Sequence, residues 1–198
     1  DGKEDGKWVS WYPCEDPCKI EYGQKKDEVY FKMVKIDGNW TGWHPNGVLK
    51  YDNNYKENLK NGSWKRWYDD GKIEYDGKYK DGRLEGKWTA WYECKKPCVN
   101  ETGYLKEQGS YEEGIKSGGW VYYFENGNKY QEQTYKDGNQ DGKWLEWYEH
   151  GSPSVKGYYK NRKKEGMWTF WETNGNKAGI QKFKNGVMVK EKNMKKTK

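Results

Sequence analysis

The chain has 198 residues, 32% of them hydrophobic and 18% aromatic, with 13 Trp and 18 Tyr. Two alanines (Ala90 and Ala178) against 25 glycines exclude a helical bundle, and the aromatic content excludes a disordered chain. The 37 basic residues, all Lys except Arg66, Arg83 and Arg162, alternate with 31 acidic ones to leave +6, which reads as a solvated sheet surface and not a nucleic-acid patch.

In chain order, the first segment is already part of a pattern. Asp1-Gly2-Lys3-Glu4-Asp5-Gly6-Lys7-Trp8 matches Asp137-Gly138-Asn139-Gln140-Asp141-Gly142-Lys143-Trp144, so the chain opens inside a repeat and a segment is expected upstream of Asp1. Gly-x-Trp occurs seven times, with Trp8, Trp40, Trp64, Trp88, Trp120, Trp144 and Trp168 as structural repeat residues. The units start near Gly6, Gly38, Gly62, Gly86, Gly118, Gly142 and Gly166 and form one array over residues 1–189, followed by a basic tail, 190–198. The basic period is 24 residues; two units carry an insertion of eight, 80 residues apart, which marks duplication of a three-unit block.

Within each unit a strand is expected to begin at Gly-x-Trp-x-x-Trp-Tyr, as in Gly62-Ser63-Trp64-Lys65-Arg66-Trp67-Tyr68. A tight turn follows, at Asn46-Gly47, Asp70-Gly71, Asn126-Gly127, His150-Gly151 and Asn174-Gly175, where glycine supplies positive φ. A second strand ends at Phe31, Tyr55, Tyr79, Tyr111, Tyr135 or Tyr159, and a second turn, as at Asp81-Gly82 or Asp137-Gly138, restarts the cycle. Two strands and two reversals per unit predict an all-β fold, an elongated single-layer antiparallel β-meander. With strands about 4.7–4.9 Å apart the array would extend roughly 70–80 Å. Strict alternation puts the first Trp and the Tyr four positions on together, with the second Trp on the opposite face; a bulge would bring all three together. The sequence leaves both open.

The run Tyr79-Lys80-Asp81-Gly82-Arg83-Leu84-Glu85-Gly86-Lys87-Trp88-Thr89-Ala90-Trp91-Tyr92 resembles the MORN repeat in its bacterial variant, and the likeness covers essentially the whole chain. The resemblance implies MORN-type hairpin repeats in a single layer and a non-catalytic role in protein–protein or membrane-proximal contact. Some bacterial variants carry an antitoxin label; two Cys-bearing insertions and the Lys content depart from that cytosolic pattern.

Those insertions hold Cys14/Cys18 and Cys94/Cys98, each pair spaced Cys-x-x-x-Cys with Pro17 or Pro97 inside. Two local disulfides would suit an oxidising compartment. A four-Cys zinc site would need two distant pairs to converge with an unusual spacing, and free thiols are the third reading. Glu15, Asp16 and Pro17 in one loop and Lys95, Lys96 and Pro97 in the other differ in charge and are the candidate binding residues. His44 and His150 each replace a repeated residue and are far apart, which leaves no acid–base or nucleophile pair. No phosphate loop or EF-hand spacing is present.

The expectation is therefore a non-enzyme without catalytic, cofactor or metal site. It would be a binding or assembly scaffold for protein partners, self-assembly or a larger envelope complex included, in the periplasm, at the cell surface or secreted from a bacterium. The alternatives are a cytosolic antitoxin-like inhibitor, or a carbohydrate or membrane-surface binding module. The membrane contact would be peripheral, since no run approaches the roughly 18–20 apolar residues of a span.

Overall fold

The computed structural model describes residues 5–13, 23–94 and 103–193, and their regular structure is all strand. They divide into two compact halves, Asp1–Gly103 and Tyr104–Lys198. The first half holds β1 (Gly6–Trp11), β2 (Lys25–Lys32), β3 (Lys35–Trp43), β4 (Leu49–Lys56), β5 (Leu59–Trp67), β6 (Ile73–Lys80), β7 (Arg83–Leu84) and β8 (Gly86–Trp91). These pair antiparallel in chain order, with β7 and β8 both laid along β6. The second half holds β9 (Leu105–Glu112), β10 (Ile115–Tyr123), β11 (Lys129–Lys136), β12 (Asn139–Trp147), β13 (Pro153–Lys160), β14 (Lys163–Trp171), β15 (Lys177–Lys184) and β16 (Val187–Asn193), again antiparallel neighbours in chain order. The expected β-meander of hairpin repeats is what each half is.

Two turn types alternate, and each has its own chemistry. In Tyr68-Asp69-Asp70-Gly71-Lys72 the Tyr68 amide donates to the Lys72 carbonyl at 2.8 Å and the Gly71 amide to the Tyr68 carbonyl at 3.1 Å. Gly71 has φ +84°, the left-handed residue that ends a three-residue hairpin loop. The same closure occurs at His44–Val48, Phe124–Asn128, Tyr148–Ser152 and Glu172–Asn176. At the first insertion the Tyr12 amide reaches the Gln24 carbonyl at 2.8 Å, so the loop grows from an unchanged base. The other turns have two residues, both at positive φ: Asp81-Gly82 at +49° and +83°, but also Met33-Val34 at +50° and +69° and Asn161-Arg162 at +49° and +65°. That is the twist-matched geometry of a hairpin, reached in these two cases without glycine.

The strands begin earlier than the sequence pattern suggested. β5 starts at Leu59, three residues before Gly62, and β3, β10, β12 and β14 likewise begin three residues before their Gly. The repeated Gly lies inside the strand and forms a bulge. Between the pairs Asn53↔Trp64 and Tyr55↔Lys60, Asn54 alone faces Asn61, Gly62 and Ser63. Gly62 sits at φ +108°, and a Cβ there would come 3.0 Å from Cβ of Asn54. The bulge needs both the backbone freedom and the missing side chain. A second deviation concerns the expected tail: Lys190–Asn193 belong to β16, with Lys190 opposite Lys182 and Lys192 opposite Ile180.

The question of alternation is settled by a second bulge on the other strand. In β3 and β4 the pairing runs Trp40↔Asn53, Thr41↔Asp52, Gly42↔Tyr51, then Trp43↔Leu49, so Lys50 is the extra residue. From Trp40 to Trp43 the Trp strand itself carries no extra residue. Trp64 and Arg66 share one face, the front, and Trp67 goes to the back. Trp43 lies on the back under Lys25, whose Nζ is 4.7 Å from the ring and 2.6 Å from Glu28.

The core is a file of aromatic rings on the front. In the first half Trp40, Tyr55, Trp64 and Tyr79 follow one another with centroids 5.8, 5.5 and 5.0 Å apart. In the second half Tyr111, Trp120 and Tyr135 are 5.0 and 6.4 Å apart, and Trp144, Tyr159, Trp168 and Phe183 are 5.0, 5.1 and 6.1 Å apart. Such tilted and edge-on pairs contribute about 0.5–1.5 kcal/mol each beyond the area they bury. Trp120 and Trp168 are fully buried, whereas Trp8 on β1 is half exposed.

Candidate binding surface

Lysines that read as solubilising charge in the sequence cap the aromatic file. Lys60 Nζ lies 4.4 Å from the Trp64 ring and 4.8 Å from Tyr79. Lys116 is 3.8 Å from Trp120, and Lys164 is 4.3 Å from Trp168. All three stand four residues before their Trp, a spacing visible in the sequence but meaningless until the bulge folds that residue back over the ring. Cation–π contacts of this kind are worth about 0.5–2 kcal/mol.

The residue between consecutive Trp rings is also dictated by the file. Gly157 lies under the Trp168 indole, and a Cβ on it would fall 2.2 Å from the ring. At the corresponding place the rings flank Asn53 or Gln133, both more than nine-tenths buried. Gln133 is satisfied through Gln131 (3.1 Å) and Gln140 (3.3 Å), and Gln131 and Trp144 Nε1 both donate to Glu146, at 3.2 and 2.9 Å.

Neighbouring units are tied by rungs from one hairpin end to the next. The hydroxyls of Tyr12, Tyr68 and Tyr148 donate to the carbonyls of Trp43, Trp91 and Trp171 at 2.9, 2.9 and 2.7 Å. His44 occupies the same slot and its Nε2 meets the Trp67 carbonyl at 2.9 Å. One step outward, Asn46 and Asn126 donate to the carbonyls of Asp69 and Glu149 at 2.7 and 2.9 Å, and His150 takes that role towards Thr173 at 3.0 Å. Both histidines are therefore rungs, facing carbonyls that only accept.

What the scaffold leaves unspecified is a second row on the front, beside the Trp file. In the first half it reads Asp27, Gly42, Tyr51, Arg66, Tyr75 and Ala90, successive cross-strand partners. In the second half it reads Glu107, Tyr122, Gln131, Glu146, Val155 and Phe170. Asp27 accepts from Trp40 Nε1 at 3.3 Å and from the Tyr51 hydroxyl. Burial, with the Asp27 carboxylate second, holds the Tyr51 phenol far above its ordinary value. In the second half burial, and then a hydrogen bond with Tyr122, pushes Tyr135 up to about 12, and Lys116 Nζ donates to the Tyr122 hydroxyl at 2.7 Å. These are binding-type groups held in place by neighbours. No group of three His, Cys, Asp or Glu side chains suited to a metal occurs among the described residues.

The sequence singled out other residues. Cys14, Cys18, Cys98, Glu15, Asp16, Pro17, Lys95, Lys96 and Pro97 lie outside the described residues, and Cys94 stands at their edge, three residues past β8. The seven repeat Trp all belong to the front face. Position by position, the second row lacks a repeated residue type beyond Tyr51 and Tyr75; its signal in the sequence is variability at a fixed offset, two residues after each Trp and at the position paired with it.

Residues 36–57, 60–81, 117–137 and 140–161 each match the family model of the MORN repeat variant. The segments coincide with the hairpins β3–β4, β5–β6, β10–β11 and β12–β13, two in each half. No curated protein matches the chain. The aromatic file, the bulged Gly-x-Trp strand and the four matched hairpins together place the chain in the MORN-repeat family.

Proposed function

We propose that the protein is a non-catalytic scaffold whose front row binds a protein partner, and that it works in the bacterial envelope or outside the cell. The observation carrying this reading is the division of labour on the front face. Residues that recur in every unit are consumed by the ring file and the rungs, while the positions beside them vary between the halves, Arg66 against Glu146 and Tyr75 against Val155. A repeat array with a constant frame and a varied row is the usual construction of a binding solenoid. For the compartment, the support is the pairing of cysteines in sequence and the fact that Cys94 is not a free thiol.

The binding reading is tested with a photo-crosslinking residue at Tyr75 or Glu146, and at the exposed turn residue Asp81 as control, in the native host. Discrete products from the row and none from the turn are expected; equal or absent crosslinking at all three defeats the reading. The compartment is tested by intact mass after alkylation with and without reduction. Two closed disulfides, Cys14–Cys18 and Cys94–Cys98, are expected, and four alkylated thiols would move the protein to the cytosol and favour an inhibitor of a cytosolic partner.

A further inference from the structure

On the back face, each hairpin carries one slot on its second strand, opposite the residue that follows Trp. Four times that slot is acidic: Glu28, Asp52, Asp76 and Glu132. Three of these carboxylates hold lysines around them, while Asp52 accepts from Asn39 and Thr41. Glu28 binds Lys7 at 2.9 Å and Lys25 at 2.6 Å, Asp76 binds Lys65 at 3.3 Å, and Glu132 binds Lys143 at 2.6 Å and Lys129 at 3.1 Å. The lysines hold the Glu28 and Glu132 carboxyls below the ordinary range.

In the last two hairpins of the second half the slot changes to Lys156 and Ile180. Lys182 faces Lys190 directly across β15 and β16, and Lys192 faces Ile180. Like charges directly opposite destabilise a strand pair. The described salt bridges include none to Lys156, Lys182, Lys190 or Lys192. The nearby acid Glu165 is engaged elsewhere, accepting from the Asn185 amide at 2.7 Å, and Glu191 accepts from Gln181 at 2.8 Å, on the front. Between the lysines lies an open cleft of about 280 Å³, lined by Met167, Ile180, Lys182, Lys190 and Lys192. Met167 is 56% exposed, although in other units its place holds Lys7, Asn39, Ser63, Lys87, Gly119 or Lys143.

We infer that this cleft is a docking site for an acidic polypeptide segment carrying one large apolar side chain. The inference rests on the scaffold reading above but not on its front row. Charge complementarity selects the partner's sign, because repulsion between Lys182 and Lys190 is relieved only by an anion. The apolar floor selects the kind of anion: bare phosphate or polyglutamate would leave Met167 and Ile180 wet, forfeiting about 25 cal/mol per Å² of apolar area that a Leu or Phe would cover. The volume lies just below the roughly 300–1,000 Å³ of small-molecule pockets and suits a single large side chain. A bilayer is a poorer match, because an apolar floor set between lysines is reached by a protruding side chain and not by a flat surface.

The test is fluorescence anisotropy of the full chain with three labelled peptides: Glu-Asp-Glu-Leu-Asp-Glu, the same with Ser for Leu, and a Lys-for-acid version. Vesicles of phosphatidylcholine with about one-third phosphatidylserine form a fourth arm. The Leu peptide should bind at least about tenfold more tightly than the Ser peptide, and the Lys peptide should not bind. Lys182→Glu with Lys192→Glu should cost about tenfold or more, Lys182→Gln less, and Ile180→Ser should erase the Leu preference. Thermal unfolding identifies any variant lost to misfolding, and Lys182→Gln, an exposed change, keeps the test alive in that case. Equal binding of Leu and Ser peptides, indifference to the Lys variants, or vesicle binding that the Lys variants abolish would each overturn the proposal. Crosslinking from Tyr75 is independent of the cleft, so its persistence with a failed peptide titration sinks the cleft alone.

Discussion

His44 Nε2 lies 2.9 Å from the main-chain oxygen of Trp67, twenty-three residues on, in the slot where Tyr68 reaches Trp91. The carbonyl can only accept, so the ring carries its proton on Nε2 and substitutes for a phenol hydroxyl. His44→Tyr should leave stability within about 0.5 kcal/mol, while His44→Phe, which removes the donor, should lose about 1 kcal/mol. Urea unfolding of the two variants separates them; equal effects would mean the rung contributes nothing.

Val34 occupies the second position of a turn at φ +69°, and it is half exposed with Met33 beside it. A β-branched residue is strained there, whereas the equivalent Gly82 is not. Val34→Gly should therefore stabilise by about 1 kcal/mol and raise Tm by roughly 2–4 °C. A lower Tm for Val34→Gly would contradict the left-handed assignment.

Two glycines make a matched pair for packing. A Cβ at Gly157 would stand 2.2 Å from the Trp168 ring, while Gly119 has nothing within 4 Å and is not at positive φ. Gly157→Ala should destabilise by about 1–3 kcal/mol through overpacking, and Gly119→Ala should be neutral or gain up to about 1 kcal/mol by narrowing the unfolded ensemble. Denaturant midpoints of the two variants, measured side by side, check the contrast.

Burial, with Glu74 and Glu93 nearby, pushes Tyr68 up to about 12, and Tyr135 reaches the same value for the reasons given above. The folded state keeps these protons at a pH where the unfolded chain, titrating near 10, has released them. Stability is thus fully present below about pH 10 and falls as pH rises from there to about 12. Urea midpoints should drop steadily across that window, with a smaller drop in Tyr135→Phe, and a flat profile would refute the burial of these phenols.

Trp168→Ala and Trp8→Ala should differ widely, since one ring is fully buried and the other half exposed. The first should cost about 3–5 kcal/mol and the second well under half of that. Near-equal losses would mean the ring file does not carry the stability.

The amino-acid sequence determined the repeat, the all-β class, the meander and most turns, because each depends on short-range properties: glycine at a reversal, and aromatic residues at fixed spacing. Gly71 and Gly82 announce their turns on sight; Met33-Val34 does not, since there the pairing of β2 with β3 forces the geometry on residues that would not choose it. Face assignment needed the tertiary structure, because the strand that carries the bulge, here β4 with Lys50 and not β3, decides whether Trp43 joins Trp40 or opposes it. The same holds for the rungs and caps: His44 and Trp67, or Lys60 and Trp64, acquire meaning only once register is set between strands. The front row and the basic cleft were hidden for a related reason, being defined by residues brought side by side from different hairpins, where no periodicity could mark them.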